Sequence, residues 1–455
     1  MKTKILSLFL VLTLSKASLI GQNNLLPIDS LYISKIDEFY RNAIEFKDKA
    51  WSGMELSPVC LFRINGPAFL YNHPNPPKTF KKIRDNLFLG TQAELQLFGA
   101  TQAEINGTLT AIIDYTHQNY SSPEEAFAEL FHEMHHVYQR NSISGINYDN
   151  PVTLMSYPEN YKNDALKIAE QKLMYNLCMC NDKIEFEQLL NQINSIRKKR
   201  EAIIGNKYYD YEKDVESLEG PAFYCQLKYY QSYANVNEAL KKNYIEKVFF
   251  GPLNTPYYGR EQLRSRHLAA GMAMCCILDK YKENWEKEYY TSGMKLYDFF
   301  ISQFEIEEID FDDTKIEYAI SKYHTQTIIE NHIKNFDKFQ NQNGVKVTLK
   351  FKNSPQFRGF DPMHAEAIND STVLHTTLLK LKGDNDNELF ISNWQVITIY
   401  TGQIWFVDKI IIFVPEQDIV LTDDKQLAIK TKNISISWKG AVKSKGENEI
   451  VFICD

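Results

Sequence analysis

The chain is poor in the features that would tie it to a disulfide framework, a nucleic acid or a membrane. Seven cysteines occur in 455 residues, their spacing matches no zinc-finger pattern, and we expect buried thiols rather than a disulfide-dependent fold. The net charge of −7 gives no bulk attraction to nucleic acid or to anionic membranes. Beyond the N-terminal stretch no run approaches about 18 consecutive apolar residues, so we predict no integral membrane segment there. No internal repeat is present.

The N-terminus, in contrast, carries a targeting pattern. Lys2 and Lys4 precede an apolar stretch over residues 5–14, and small residues such as Ala17 follow. This is the order of regions in a secretory signal peptide, which we predict over residues 1–21. No cysteine stands at the expected cleavage site, so a lipoprotein anchor is not indicated. The mature protein is therefore expected to be secreted or periplasmic.

The remaining sequence divides into two regions of different periodicity. With 44% hydrophobic and 13% aromatic residues the composition is that of globular domains. Residues 22–338 carry mostly helical patterns with a few strands near their start, and residues 164–208 form a strongly helical segment in two parts. An amide-rich joint over 335–344 separates this region from seven period-2 runs. We therefore predict a multidomain protein, with a mainly α (α+β) domain over 22–338 and an all-β sandwich over 344–455.

One motif stands out in the helical region. His132-Glu133-Met134-His135-His136 is an H-E-x-x-H pattern, and Ser122-Pro123-Glu124-Glu125 upstream of it predicts a capped helix start. Residues four apart share a helix face, so His132 and His136 can direct two imidazoles at one ion. Glu133 is placed to take a proton from a metal-bound water. His135 points about 100° away and is expected to pack or to support the site rather than to bind the metal.

A catalytic zinc needs a third protein ligand, and the best candidates lie well downstream. Glu216 and Glu219 are three residues apart in a helical segment, so both fall on one face. Either could bind the metal while the other orients a ligand histidine. The residues alone leave this choice open.

The combination of H-E-x-x-H with a downstream Glu-Gly-x-Ala-x-Tyr segment, here Glu219 to Tyr224, resembles the gluzincin metallopeptidases, the thermolysin-like and collagenase-like group. The chain is also similar to poorly characterised secreted bacterial peptidase-like proteins. The resemblance implies a zincin-like catalytic domain, a Zn²⁺ cofactor and Glu219 as third ligand, with Glu216 as the alternative. Glu219 follows His136 by 83 positions. This gap is longer than in better-known members, so the helices of 164–208 are interpreted as an insertion.

Three further roles follow from the same resemblance. A Tyr or His beyond the third ligand would stabilise the oxyanion, which makes Tyr258 and His267 candidates together with Tyr257. The strand over 106–112 is either the edge along which a peptide substrate pairs or an interior core strand. The segment Gly99–Gln102 lacks the Glu and Asn of zinc aminopeptidases, which favours an endopeptidase.

The sequence thus predicts a zinc metallopeptidase acting on peptide or protein substrates, with Glu133 as general base. The alternative from another class is a secreted binding or adhesion protein, in which the β-sandwich carries the function and the metal site is structural or vestigial. Glu133 favours the enzyme, because a structural zinc site needs no base. Trp394, Trp405 and Trp438 are expected to be core residues rather than a sugar-binding platform.

Overall fold

The chain forms a helical region that contains a small sheet, followed by a C-terminal β-sheet domain. The computed structural model describes residues 25–116, 120–142, 151–369, 371–384, 386–422 and 425–455. The signal peptide predicted over residues 1–21 lies outside this part of the chain. The predicted multidomain organisation, helical first and β-sheet last, is confirmed at this level.

The region is mostly helical, as its sequence periodicity predicted, and it also contains short helices that were not predicted. Its α-helices are α1 (Pro27–Ala50), α2 (Gln92–Leu95), α3 (Pro123–Ser142), α4 (Pro151–Met155), α5 (Tyr161–Met179), α6 (Lys183–Ile204), α7 (Asn206–Tyr233), α8 (Glu238–Tyr244), α9 (Gly251–Asn254), α10 (Leu263–Tyr281), α11 (Trp285–Ser292), α12 (Leu296–Ser302) and α13 (Tyr318–Gln340). A π-helical turn over Ile245–Phe250 and a 3₁₀ turn over Arg260–Gln262 connect some of them. Among the described helices none combines the length and the apolar composition needed to cross a bilayer.

A mixed six-stranded sheet precedes the H-E-x-x-H helix in sequence and packs against it. Its strands are β1 (Val59–Phe62), β2 (Pro67–Tyr71), β3 (Lys81–Arg84), β4 (Leu87–Thr91), β5 (Thr101–Ile105) and β6 (Thr108–Asp114). Their spatial order is β3-β4-β2-β1-β6-β5, with β1 and β6 parallel and the other pairs antiparallel. Successive side chains of a strand point to opposite faces, so Val59 and Leu61 pack with the helices while Cys60 and Phe62 face a smaller core. Helix α3 packs against β6.

The two helices of residues 164–208 belong to the body of the helical region. Helices α5 and α6 pack against each other, α6 contacts α7, and α5 contacts α10. The chain therefore leaves α3, forms this pair and returns through α7, which packs against α3. The long sequence gap between the two segments of the motif is closed in space in this way.

The described residues of the C-terminal domain form twelve strands, where seven were predicted. They are β7 (Val345–Phe351), β8 (Gln356–Phe360), β9 (Ala365–Asn369), β10 (Thr372–His375), β11 (Leu378–Lys382), β12 (Glu388–Ser392), β13 (Val396–Tyr400), β14 (Val407–Val414), β15 (Ile419–Leu421), β16 (Gln426–Lys430), β17 (Ile434–Lys445) and β18 (Glu449–Cys454). The long β17 pairs with β12 and β16 through its first half and with β18 through its second half. Strands on both sides of it contribute to one hydrophobic core that includes Trp438.

The two regions are in contact with each other. Helix α13 leads from one into the other and runs to Gln340, two residues beyond the predicted domain boundary at 338. Met155 of α4 packs with Ala365 and Val373 of the β-sheet domain. The Lys380 ammonium donates to the Gln96 carbonyl oxygen at 2.7 Å. The strands of the C-terminal domain are thus held beside the helical region.

Candidate metal centre

Helices α3 and α7 bring three of the predicted ligand residues together. One ligand atom from each of His132, His136 and Glu219 lies within 4.8 Å of the others, and all three residues are buried. Glu219 Oε2 is 3.5 Å from His132 Nε2 and 3.3 Å from His136 Nε2. These residues could hold a metal ion.

The distances fit metal ligands better than hydrogen-bonded partners. A charge-assisted N–H···O⁻ bond is about 2.7–2.9 Å long, shorter than either contact. Two ligands of a tetrahedral zinc, each about 2.0–2.1 Å from the ion, lie about 3.3–3.4 Å apart. The imidazole and carboxylate atoms therefore have the separation that a shared ion requires, and two imidazoles with one carboxylate form a donor set suited to zinc.

Gln139, which the sequence analysis did not single out, orients one of the histidines. Gln139 is fully buried, and its Oε1 lies 2.8 Å from His136 Nδ1. Its Nε2 donates to the Leu218 carbonyl oxygen at 3.0 Å, which assigns the two ends of the amide. His136 Nδ1 must then carry a proton, leaving the Nε2 lone pair free for a metal. The signal in the sequence is its position, three residues after His136 on the same helix face.

Glu219 is held as a carboxylate by its surroundings. Burial alone would raise its pKa, but Arg264 and the two histidines hold the pKa of Glu219 well below its usual range. The Arg264 guanidinium binds Glu219 Oε1, while Oε2 faces the histidines. The carboxylate therefore has one oxygen for the arginine and one for a metal.

The glycine after Glu219 has a packing reason. Helices α7 and α10 meet where a Cβ on Gly220 would lie 2.5 Å from the Gly271 Cα. A Cβ on Gly271 would lie 2.7 Å from the Glu216 carbonyl oxygen. The two backbones thus approach more closely than any side chain permits, and this contact sets the position of α7 beside α10.

Glu133 lies beside the three residues in a desolvated environment. Burial raises its pKa to about 8, His136 and Arg264 oppose the rise, and Glu219 and Glu129 add to it. Burial also lowers the pKa of His132, whereas Glu219 raises the pKa of His136 despite burial. The group thus combines a carboxyl of near-neutral pKa with three ligand-type side chains.

These residues open onto a cavity of about 1300 Å³. The helical region contributes the motif residues together with Tyr120, Tyr244 and Arg264. Other lining residues come from the β-sheet domain: Phe357, Arg358, Gly359, Phe360, Asp361, Pro362, Met363 and Trp405. The described side chains of residues 164–208 do not line it. The C-terminal domain, rather than the α5–α6 pair, forms the opposite wall.

The edge strand of the six-stranded sheet that lines the cavity is β5, not β6. Strand β6, which covers most of the segment 106–112, lies between β1 and β5 and is an interior strand. The edge is β5, and Thr101 and Gln102 of this strand line the cavity with Ala100 before it. The backbone groups of an edge strand can pair with an added chain.

The structure does not bring Glu216, His267 or Tyr258 to the cavity. Glu216 accepts bonds of 2.7 and 2.9 Å from Arg197 of α6, and His267 Nδ1 is 2.9 Å from Glu216 Oε1. Glu216 and His267 thus belong to a buried ion network that ties α7 to α5 and α6. Charges in the interior need such partners. Tyr258 stacks on His324 at 4.2 Å between ring centroids and lines a separate cavity. We therefore assign the oxyanion donor to neither Tyr258 nor His267.

The remaining residues that were singled out are divided between core and surface. His135 is buried against the Trp51 ring, as expected for a packing residue. Trp438 is a core residue and Trp394 is partly buried against the same core. Trp405, expected in the core, is 41% exposed at the cavity wall, where it contacts Phe357.

The chain was compared with protein family models, curated proteins and solved structures. No family model, no curated protein and no solved structure matches the chain.

Proposed function

We propose that the protein is a zinc-dependent peptidase with a zincin-like catalytic domain, and that it acts as an endopeptidase. The observation that carries this proposal is the convergence of His132, His136 and Glu219 beside the buried Glu133. Three protein ligands leave one coordination position for water or substrate, whereas structural zinc sites use four protein ligands. The resemblance of the two motif segments to gluzincins points in the same direction.

Zinc would be held by the two imidazole Nε2 atoms and by Glu219 Oε2. When bound, it would act as a Lewis acid that polarises a carbonyl group and acidifies water. Gln139 keeps His136 in the tautomer that can bind the ion, and Arg264 keeps Glu219 oriented and charged.

Glu133 would act as the general base. Its carboxylate takes a proton from the attacking water and returns it to the nitrogen of the leaving amine. Burial serves this role, because a base whose pKa lies near neutrality can both accept and release the proton. Tyr120 and Tyr244 also line the cavity, so phenol groups from before and after the proposed ligands in sequence are candidates for the oxyanion donor.

The volume of the cavity supports a polymeric substrate. Sites for small molecules occupy about 300–1,000 Å³, and this cavity is larger, at about 1300 Å³. An extended peptide could pair with the edge strand β5 along one wall while its side chains meet the aromatic residues of the β-sheet domain on the other. The β-sheet domain would then take part in substrate binding. In this proposal it has a binding role within the enzyme, rather than a separate function as in the alternative hypothesis. Secretion to the periplasm or beyond stays a prediction of the N-terminal sequence.

The test separates metal binding from turnover. We expect Glu133→Gln to bind one zinc at this centre with little change in affinity and to cleave a denatured protein substrate at least 100-fold more slowly, since general bases contribute about 10²–10⁴-fold. Glu124→Gln, a change in the first turn of the same helix at a partly buried ion pair with Lys35, is the matched control. Wild-type rates in Glu133→Gln would refute the mechanism. A wild-type protein that binds no zinc would refute the proposal as a whole.

A further inference from the structure

A second group of ligand-type side chains lies where the helical region meets the β-sheet domain. Glu261 belongs to the 3₁₀ turn before α10, His332 to α13, and Glu366 to β9. One ligand atom of each lies within 4.8 Å of the others, and His332 Nε2 is 3.2 Å from Glu261 Oε1. Three elements that are distant in sequence thus converge on one point.

The burial of Glu366 distinguishes this group from a surface ion pair and points to a cation-binding site. The residue is only 5% exposed. Its Oε1 accepts a hydrogen bond from Asn335 Nδ2 at 2.9 Å, which fixes the carboxylate. Its Oε2 is buried and has no hydrogen-bond partner in the described part of the chain. A buried carboxylate oxygen without a partner is costly, and a bound cation would satisfy it.

The neighbouring arginine does not fill this role. Arg260 donates through Nη1 to the Met155 carbonyl oxygen, and its Nε lies 3.9 Å from Glu159 Oε1. Its guanidinium is thereby directed at α4 and at the loop after it. Neither of these contacts places an arginine N–H on Glu366 Oε2, which has no hydrogen-bond partner among the described residues.

We propose that Glu261, His332 and Glu366 form a second divalent-metal site that joins the β-sheet domain to the helical region. One imidazole and two carboxylates suit Zn²⁺ and related first-row ions, whereas Ca²⁺ prefers six to eight oxygen ligands. Glu261 retains 40% of its side-chain exposure, so the open side of the site can hold water.

The position of the site suggests its purpose. Glu366 follows the turn over Pro362–His364, which comes directly after the cavity-lining residues Phe360 and Asp361. A metal that ties β9 to α13 and to the start of α10 would hold this wall of the cavity in place. The site does not depend on the peptidase proposal, because it shares no residue with the first centre.

Zinc stoichiometry on the full-length protein and five variants tests both centres separately. Zinc per chain would be measured by elemental analysis after equilibration and gel filtration for the wild type, His136→Ala, His332→Ala and the double variant. We expect two, one, one and no zinc ions, respectively. His324→Ala, on the same helix but outside the group, should retain two. Glu366→Gln, which keeps the size of the side chain and an acceptor for Asn335, should retain one.

The pattern of losses identifies which centre fails. One zinc in the wild type and none in His136→Ala would refute the second site and leave the first. One zinc in the wild type and none in His332→Ala would establish the second site and refute the first. In His136→Ala, zinc should raise the Tm, and equimolar Ca²⁺ should not. An unchanged Tm, or an equal rise with Ca²⁺, would overturn the proposal of a His-containing transition-metal site.

Discussion

Replacing Gln139 by leucine tests whether the orientation of His136 is set from within α3. The change keeps the approximate volume of the side chain but removes its hydrogen bonds to His136 Nδ1 and to the Leu218 carbonyl oxygen. The imidazole is then free to adopt the other tautomer or to rotate. Loss of such a supporting partner typically lowers metal affinity about 10–100-fold, which corresponds to about 1.4–2.7 kcal/mol.

The same substitution should also destabilise the metal-free protein. Both former partners are buried, and an unpaired buried polar group costs about 1–3 kcal/mol. We therefore expect a lower free energy of unfolding in urea together with weaker zinc binding in competition with a chelating indicator. Asn141→Ala, an exposed change two positions further along the helix, should alter neither quantity.

A second variant separates orientation from packing. Gln139→Glu keeps an acceptor for His136 Nδ1–H but loses the donor to the Leu218 carbonyl. It should therefore bind zinc more tightly than the leucine variant while remaining less stable than the wild type. If Gln139→Leu bound zinc with wild-type affinity, the argument that this amide selects the ligand tautomer would be wrong, whatever its effect on stability.

Three other changes test the surroundings of the site. Glu216→Gln should lower the free energy of unfolding by about 3–5 kcal/mol, because it leaves buried Arg197 short of a counter-charge, yet zinc content should be unchanged; loss of zinc would instead make Glu216 a ligand. Gly271→Ala should cost about 1–3 kcal/mol in urea unfolding, since its Cβ would lie 2.7 Å from a backbone oxygen of α7; unchanged stability would mean that the helices separate freely. Trp405→Ala should raise the KM for peptide about tenfold with kcat retained, and an unchanged KM would remove the β-sheet domain from substrate binding.

Periodicity was sufficient to predict the long helices, because their apolar faces span several turns. Helix α3 was expected from its cap and its apolar spacing, and it is present from Pro123 to Ser142. The pair α5 and α6 was expected with a break near residues 180–182, where Asp182 now caps α6. Each of these helices buries a continuous apolar stripe, and such a stripe appears in the sequence as apolar residues at helical spacing.

The β-sheet domain was harder to predict because several of its strands are short and partly exposed. Strands β8, β9, β12 and β15 were not among the seven predicted runs, and one of those runs forms two strands, β10 and β11. Their residues gain order from neighbouring strands rather than from their own alternation. Long-range pairing of this kind leaves little local pattern in the sequence.

Within the candidate site, the sequence predicted which residues converge where the geometry is local, but not where it depends on packing. The spacing of His132 and His136 is a property of one helix, and Glu219 was identified through a second local segment. The choice of His267 and Tyr258 rested only on their position after Glu219. Helix α10 instead directs His267 into the buried ion network, which no local pattern reveals.

The long separation of the two motif segments is explained by that same network. The helices between these two segments would disturb the site if they could shift α7 relative to α3. Here Lys167 of α5 and Arg197 of α6 converge on Glu216, one turn before Glu219 in α7. Breaking such buried ion pairs is strongly destabilising, so α5 and α6 hold α7 in a fixed position. The Gly220–Gly271 contact holds α7 close against α10. Helices α5 and α6 thereby position Glu219, although none of the described side chains of residues 164–208 lines the cavity.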